Sequence, residues 1–167
     1  MTIEFEKLLT PASLQIIRDT ALVVWPATFA EILSPEQISY MMKMMYSPEV
    51  MADELASGYN FEIVKINCLP SGYFSWSAYS EQPGTAKLHK LYLMHKFHGQ
   101  GIGSAMLQQV EAEMKAAGFS KIRLNVNKYN LRAKKAYDRN GFHIAEAVKI
   151  DICDGFFMDD FVMEKNL

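Results

Sequence analysis

The sequence predicts an α/β fold in which strands and helices alternate along the C-terminal half of the chain. The strongest observation is a loop with three glycines, Gly99, Gly101 and Gly103, between an apolar strand and an amphipathic helix. The second is an alternating strand over residues 121–126, followed by a short helix. A period of two indicates a half-buried strand, and apolar residues three and four apart indicate a helix. The length suits a single domain spanning residues 1–167.

The N-terminal half begins with a predicted strand over residues 3–8, where apolar residues alternate with polar ones. Three helices are predicted to follow it. They begin after the capping residue Thr10, at the capping box that starts with Ser34, and at Pro48, and Gly58 ends the third helix. Residues 25–29 are predicted to lie between the first two helices.

A pair of strands is predicted next, over residues 61–66 and 73–79. Residues 68–72 contain Pro70 and Gly72 and are predicted to connect them. A short apolar strand over residues 91–93 then leads to the glycine loop. The order of strands and helices therefore continues without a linker or a low-complexity segment.

The glycine loop has the composition of an anion site. Ile102, Met106, Val110 and Met114 place one buried stripe on the helix after it, and Gly118 is the predicted end of that helix. The unpaired N–H groups of the first turn would therefore point into the loop, where they suit a phosphate. Neither the P-loop nor the dinucleotide fingerprint has this glycine spacing, so both are excluded.

Two motifs together resemble the GCN5-related N-acetyltransferase (GNAT) superfamily. The first is the run His98-Gly99-Gln100-Gly101-Ile102-Gly103, which is similar to that family's pyrophosphate loop. The second is the family pattern matched by Asn130, Ala133, Tyr137, Gly141 and Phe142. His98 departs from the pattern, because the family usually has Arg or Gln there. The order and separation of the two motifs match the family.

The resemblance implies a mixed, mostly antiparallel sheet flanked by helices, with a splayed strand pair that holds acetyl-CoA. It implies main-chain pairing of the cofactor arm with one strand and main-chain binding of the pyrophosphate by the loop. The cofactor-binding residues expected on this basis are Leu91, Leu93, His98, Gly99, Gln100, Gly101, Ile102, Gly103, Ser104 and Asn130.

Tyr137 matches the family's general acid, which protonates the departing CoA sulfur. A phenol with an unperturbed pKa of about 10 is protonated at neutral pH. His89 is the candidate base, because it shares a strand face with Leu91 and matches a histidine of the serotonin N-acetyltransferase branch in its distance from the loop. The alternatives are a core tyrosine and a histidine hydrogen-bonded at the sheet surface.

A metal site is not expected. The four histidines lack the spacing of a zinc site, and only Cys68 and Cys153 could assist them. Neither cysteine lies in the two motifs, so direct attack by the amine in a ternary complex is the expected mechanism. Cys153 as an acyl-carrying nucleophile stays open, although it has no activating partner in the sequence.

The acceptor side is predicted from softer features. Trp25 and Phe29 are candidate lining residues, because the family shapes its acceptor pocket between the first two helices. The layout of the chain also resembles a bacterial branch that includes a spermidine/spermine N-acetyltransferase, which makes a polyamine a plausible hypothesis for the acceptor. In the C-terminal tail, alternation predicts that Phe157 and Phe161 pack and that Asp160 points outward.

The charge balance gives expectations about partners. A formal net charge of −2 argues against bulk attraction to nucleic acid, and no apolar run reaches the length of a membrane span. Two distant cysteines suit a reducing cytoplasm. A homodimer is the assembly that the resemblance implies. A non-catalytic acyl-CoA-binding module, a generic nucleotide binder and a transferase acting on peptide N-termini stay open as alternatives.

Overall fold

The computed structural model describes every residue from Met1 to Leu167. The strands are β1 Ile3–Lys7, β2 Asn60–Ile66, β3 Leu69–Ala78, β4 Thr85–Leu93, β5 Lys121–Asn127, β6 His143–Asp151 and β7 Phe157–Asn166. The helices are α1 Gln15–Phe29, α2 Pro35–Tyr46, α3 Pro48–Ala56, α4 Ile102–Ala116 and α5 Leu131–Arg139. One mixed, mostly antiparallel sheet has the order β1-β2-β3-β4-β5-β7-β6, which confirms the predicted α/β fold class.

The chain divides into two compact units. Unit 1 comprises Met1–Ser77 and Lys90–Gly103, and unit 2 comprises Ala78–His89 and Ser104–Leu167. None of the helices combines the length and the apolar character that a membrane crossing requires.

The predicted helix starts after Ser34 and at Pro48 are confirmed, whereas Thr10 caps a short 3₁₀ helix, Pro11–Leu14, and α1 begins after it at Gln15. The hydroxyls of Thr10, Ser34 and Ser47 each accept the N–H of the residue three positions later. These bonds satisfy N–H groups that the first turn of a helix leaves unpaired. Gly58 follows α3 with φ +90°, the left-handed conformation in which glycine ends a helix.

The prediction that residues 25–29 lie outside a helix is wrong. Helix α1 continues through Pro26 and ends at Phe29. Proline removes one hydrogen bond from a helix interior, which is why its presence suggested a break. The helix continues because Trp25 and Phe29 are buried on it, 1% and 6% exposed, and because Ala30 N–H still donates to the Pro26 carbonyl.

The connection between β2 and β3 is shorter than the five residues predicted. Asn67 and Cys68 form a two-residue turn with φ values of 51° and 65°. Two successive left-handed residues match the twist of a tight antiparallel hairpin, and asparagine tolerates that conformation. The strand β3 consequently begins at Leu69, and Pro70 lies within it beside a β-bulge, because Ser71 is an extra residue between the partners of Val64 and Lys65.

Gly72 of β3 allows a close approach of β4 in unit 1. A Cβ atom placed on Gly72 would lie 2.7 Å from the Tyr92 carbonyl oxygen and 3.2 Å from the Leu93 side chain. Met94 N–H also donates to the Ser71 carbonyl at 2.8 Å. Glycine is therefore required here by lack of space rather than by its backbone conformation.

In unit 2, the parallel ladder between β4 and β5 pairs Thr85–Leu88 with Lys121–Leu124. Both strands continue past this ladder, which ends at Leu88 and Leu124. Residues 121–127 alternate between half-buried and buried positions, as predicted. The apolar stripe of α4 is also buried, and Gly118 follows it with φ +90°.

The predicted orientation of the C-terminal tail is wrong. Asp160 of β7 is only 4% exposed, whereas Phe157 is 42% exposed. The strand β7 lies between β5 and β6, and its ladder with β5 begins at Asp160, which faces Asn127. Phe157 precedes that ladder and pairs only with β6, at Asp151. Alternation alone cannot show which part of a strand has neighbours on both sides.

Candidate active site

The glycine loop of unit 1 has the geometry of a main-chain anion site. Gly99 and Gly101 have φ values of 75° and 78°, which residues with a side chain rarely adopt. A Cβ atom at Gly99, Gly101 or Gly103 would meet no other atom within 4 Å, so the space beside the loop is open. The helix α4 begins at Ile102, and the N–H groups of its first turn lack helical partners. These features suit a phosphate group.

The polar side chains of the loop bind the loop's own backbone. His98 Nε2 lies 2.8 Å from the Leu93 carbonyl oxygen and donates to it, and Gln100 Nε2 donates to the Lys96 carbonyl at 3.0 Å. His98 thereby links the loop to the end of β4. This contact gives the histidine that departs from the family pattern a positioning role. A direct contact of His98 or Gln100 with a cofactor stays a prediction.

In unit 2, α5 supports the start of α4. Asn140 follows α5 and donates from Nδ2 to Ser104 Oγ at 3.2 Å and to the Ala136 carbonyl at 2.8 Å. Sequence reasoning treated Asn140 only as part of a helix stop and missed this contact. Asn130 caps α5 as predicted, because its Oδ1 accepts the Ala133 N–H at 3.2 Å. Cofactor binding by Ser104 and Asn130 stays a prediction.

Tyr137 lies on α5 and is 8% exposed. Its ring packs against Phe142 with a centroid distance of 5.5 Å, and its hydroxyl makes no hydrogen bond to another protein group. Burial raises the pKa of Tyr137 well above its ordinary value. The hydroxyl is therefore protonated at neutral pH and has a proton available to donate.

His89 is the β4 residue directly after the end of the ladder with β5. It is half-buried. Lys87 pairs with Arg123 in that ladder, so the period of two places His89 on the sheet face that Arg123 also shares. Because β4 no longer pairs with β5 at this position, His89 is suitably placed to contact a ligand bound between the two strands.

An aromatic cluster of unit 1 surrounds the predicted acceptor-lining residues. Trp25 Nε1 donates to Tyr46 Oη at 2.9 Å, and Tyr46 and Tyr73 share a hydrogen bond of 2.7 Å. The half-buried ring of Tyr92 lies 5.8 Å from the Trp25 ring and 6.3 Å from the Phe29 ring. Tyr92 is thus the most exposed member of the cluster, and sequence reasoning missed it. The roles of Trp25 and Phe29 stay predictions.

Beside this cluster lies a buried ion pair. Lys90 is 2% exposed and its Nζ lies 2.9 Å from Glu54 Oε2. The ammonium also lies over the Tyr46 and Phe61 rings, at 5.5 and 5.6 Å from their centroids. Burial lowers the pKa of Lys90, and the attraction of Glu54 opposes that shift.

Other candidate chemistry has no support from geometry. No three His, Cys, Asp or Glu side chains are grouped as a metal site. Cys68 and Cys153 are both exposed and not in a disulfide. Both have positive φ values, so both occupy turns.

The chain is similar to known proteins along its whole length. A model of the Acetyltransferase (GNAT) family matches residues 25–142. The spermidine N(1)-acetyltransferase of Thermoplasma acidophilum is 29% identical over 170 residues, which cover 99% of this chain and 98% of that protein.

Solved structures agree with the family match. PaiA N-acetyltransferase from Thermoplasma acidophilum, in complex with coenzyme A, aligns with a TM-score of 0.82 and 27% identity over 100% of both chains. Naa50 from Arabidopsis thaliana, in complex with the bisubstrate analogue CoA-Ac-MVNAL, aligns with a TM-score of 0.71 over 100% of both chains. Its identity of 18% supports the fold alone.

The family match covers the glycine loop and the Tyr137 motif, which together make the predicted cofactor and acid sites. The chain therefore belongs to the GNAT acetyltransferase family and is an N-acetyltransferase that uses acetyl-CoA.

Proposed function

We propose that the chain transfers the acetyl group of acetyl-CoA to a primary amine of a small molecule, with a polyamine as the favoured acceptor. The observation that carries this proposal is the whole-length similarity to a spermidine N(1)-acetyltransferase, at 29% identity over 99% of the chain. This similarity extends over the N-terminal half of the chain as well as the cofactor motifs. The family forms its acceptor pocket in that half, so the similarity bears on the acceptor.

The glycine loop is the proposed pyrophosphate site. The open space beside its three glycines and the unpaired N–H groups of α4 support this role. The main chain of Leu91 and Leu93 is proposed to pair with the pantetheine arm. His98 holds the Leu93 carbonyl, which fixes the end of β4 relative to the loop.

Bound acetyl-CoA supplies an activated thioester carbonyl. Tyr137 is the proposed acid, and its Oη donates a hydrogen bond to the sulfur as negative charge develops there. Full proton transfer from a phenol of pKa about 10 to a thiolate of pKa about 8.5 costs about 2 kcal/mol, and burial of Tyr137 increases this cost. Tyr137 therefore first donates a hydrogen bond to the sulfur. After the proton is transferred, the Tyr137 phenolate regains a proton from solvent, and the amine proton is taken up by the proposed base.

His89 is the proposed base, which takes a proton from the attacking amine nitrogen. An imidazole accepts a proton readily near neutral pH. The amine is proposed to attack the thioester directly in a ternary complex. Cys68 and Cys153 both occupy exposed turns outside the glycine loop and the Tyr137 motif, so no covalent relay through either thiol is proposed.

The test is acceptor-dependent acetylation by the purified protein. Acetyl-CoA would be offered with spermidine, spermine, amino acids, aminoglycosides and peptides, and acetylated products would be measured by mass spectrometry together with CoA release. We expect the fastest turnover with a polyamine. Preference for peptide N-termini would overturn the small-molecule assignment, and CoA binding without acetylation of any amine would overturn the proposed function.

A further inference from the structure

Asp160 is a buried carboxylate with unusually little compensation. It is 4% exposed, it forms no ion pair, and its one side-chain hydrogen bond is from Asn125 Nδ2 at 3.4 Å. Burying a carboxylate is unfavourable unless a cation or several hydrogen bonds compensate it. Asp160 therefore has acceptor capacity that the protein itself does not use.

The other acidic residues on the same face of unit 2 are paired. Arg123 binds Glu164 at 2.6 Å and also forms an ion pair with Glu146. The neighbouring Asp159, on the opposite face of β7, lies 2.5 Å from Lys128 Nζ. Among the acidic residues of β6 and β7, Asp151 and Asp160 form no ion pair, and of these two only Asp160 is buried.

The location of Asp160 is set by the strand register. In the β5–β7 ladder, Asp160 faces Asn127, and its diagonal contact with Asn125 places both side chains on one face of the sheet. Asn125 follows Leu124, the last β5 residue in the ladder with β4, just as His89 follows Leu88 on β4. One face of the sheet therefore carries His89, Asn125 and Asp160, close to the point where β4 and β5 stop pairing.

We infer that Asp160 and Asn125 form the subsite that binds the ammonium group of the acceptor, an inference that rests on the proposed function. An alkylammonium has three N–H donors and no acceptor. Asp160 offers carboxylate oxygens, and the Asn125 amide offers Oδ1 because its Nδ2 is used by Asp160. An anionic acceptor would be repelled at this position, so the substrate class is a cationic primary amine.

The pKa of Asp160 agrees with this role. Burial raises it, Asp159 also raises it, and Asn125, Lys87 and Lys128 oppose the shift. Val148 of β6 faces Asp160 and carries no charge, and His89 lies on the same face of β4. A protonated carboxyl binds an ammonium poorly, so amine binding weakens as pH falls through the Asp160 pKa.

The experiment compares Asp160→Asn with Asp159→Asn as the matched control. Steady-state rates would be measured with spermidine and with acetyl-CoA as the varied substrate. Loss of one charge-assisted contact predicts a rise of about 10- to 100-fold in the amine KM of D160N. The KM for acetyl-CoA should not change. D159N should stay within about twofold of the wild type, and Asp160→Glu should recover part of the amine affinity.

Stability and pH separate binding from a structural role. Ionised Asp160 costs stability in the free protein, so the Tm of D160N should be unchanged or raised by about 2 °C. The rise of the amine KM in acid should become shallower in D160N than in the wild type. An unchanged amine KM, an equal rise for acetyl-CoA, or a large fall in Tm would overturn the inference. Failure of the wild type to acetylate any amine would instead overturn the proposed function.

Discussion

Buried tyrosines are treated differently in the two units. In unit 1, Tyr46 and Tyr73 hydrogen-bond to each other, and Trp25 donates to Tyr46. In unit 2, the Tyr137 hydroxyl has no protein partner. Burial raises the pKa of all three phenols, so all are protonated at neutral pH. The paired hydroxyls of unit 1 suit a packing role, whereas the unpaired Tyr137 hydroxyl has a proton free for the proposed acid role.

The charged side chains show the same contrast. Lys90 of unit 1 is buried with Glu54 as an ion-pair partner, whereas Asp160 of unit 2 is buried without one. Removal of a partner should therefore damage stability in unit 1. Removal of the Tyr137 hydroxyl or the Asp160 carboxylate in unit 2 should instead damage activity.

The largest effect is expected from Tyr137→Phe. Loss of the proton donor predicts a fall in kcat of about 100- to 1,000-fold, because positioned acids contribute effects of this size. Stability should be retained, since no hydrogen bond within the protein is lost. Rates of CoA release and thermal melts would check both expectations. A variant with normal kcat would show that the acid assignment is wrong.

Glu54→Gln should have the next largest effect, and on stability. The change leaves Lys90 buried without its counter-ion and predicts a loss of about 2 to 3 kcal/mol in unfolding free energy, or roughly 5 to 10 °C in Tm. Asp53→Asn, at an exposed position of the same helix, is the matched control. Chemical denaturation would measure the difference, and equal stability of the two variants would contradict the prediction.

The sign of the pH dependence follows from Lys90. Burial lowers its pKa in the folded state below the unfolded value, so the unfolded state binds more protons between those two values. The unfolding free energy therefore rises with pH across that interval. The rise should be larger in Glu54→Gln, because the carboxylate that favours the charged lysine is gone.

The smallest effect is expected from Tyr46→Phe. Trp25 and Tyr73 each lose a partner, which predicts a loss of about 1 to 2 kcal/mol in unfolding free energy. The kcat should stay within about twofold of the wild type. A fall in kcat comparable to that of Tyr137→Phe, at retained stability, would mean that the closed network also takes part in the reaction.

Local signals predicted much of the fold. Caps at Thr10, Ser34 and Asn130 and glycines after α3 and α4 act over one helical turn, so the sequence alone identifies them. The continuation of α1 through Pro26 depends on burial of distant parts of the chain against Trp25 and Phe29. That information is not contained in the local pattern.

In the candidate site, as in the fold, the features that depend on local sequence were predictable and those that depend on packing were not. The glycine loop and Tyr137 belong to motifs of contiguous or helically spaced residues. The contact between His98 and Leu93, the support of Ser104 by Asn140 and the burial of Asp160 depend on strand register and on helix packing. Two residues far apart in sequence meet only after these elements are placed, so the sequence pattern predicted an exposed Asp160 where the structure buries it.

The two exposed cysteines allow each unit to be labelled separately. Cys68 occupies the hairpin turn of unit 1, and Cys153 occupies the turn between β6 and β7 of unit 2. Each unit therefore carries one natural attachment point for a fluorescent dye, and neither thiol is needed for the proposed chemistry. A dye on one thiol, with the other cysteine replaced by serine, would report the local surroundings of that turn when acetyl-CoA binds.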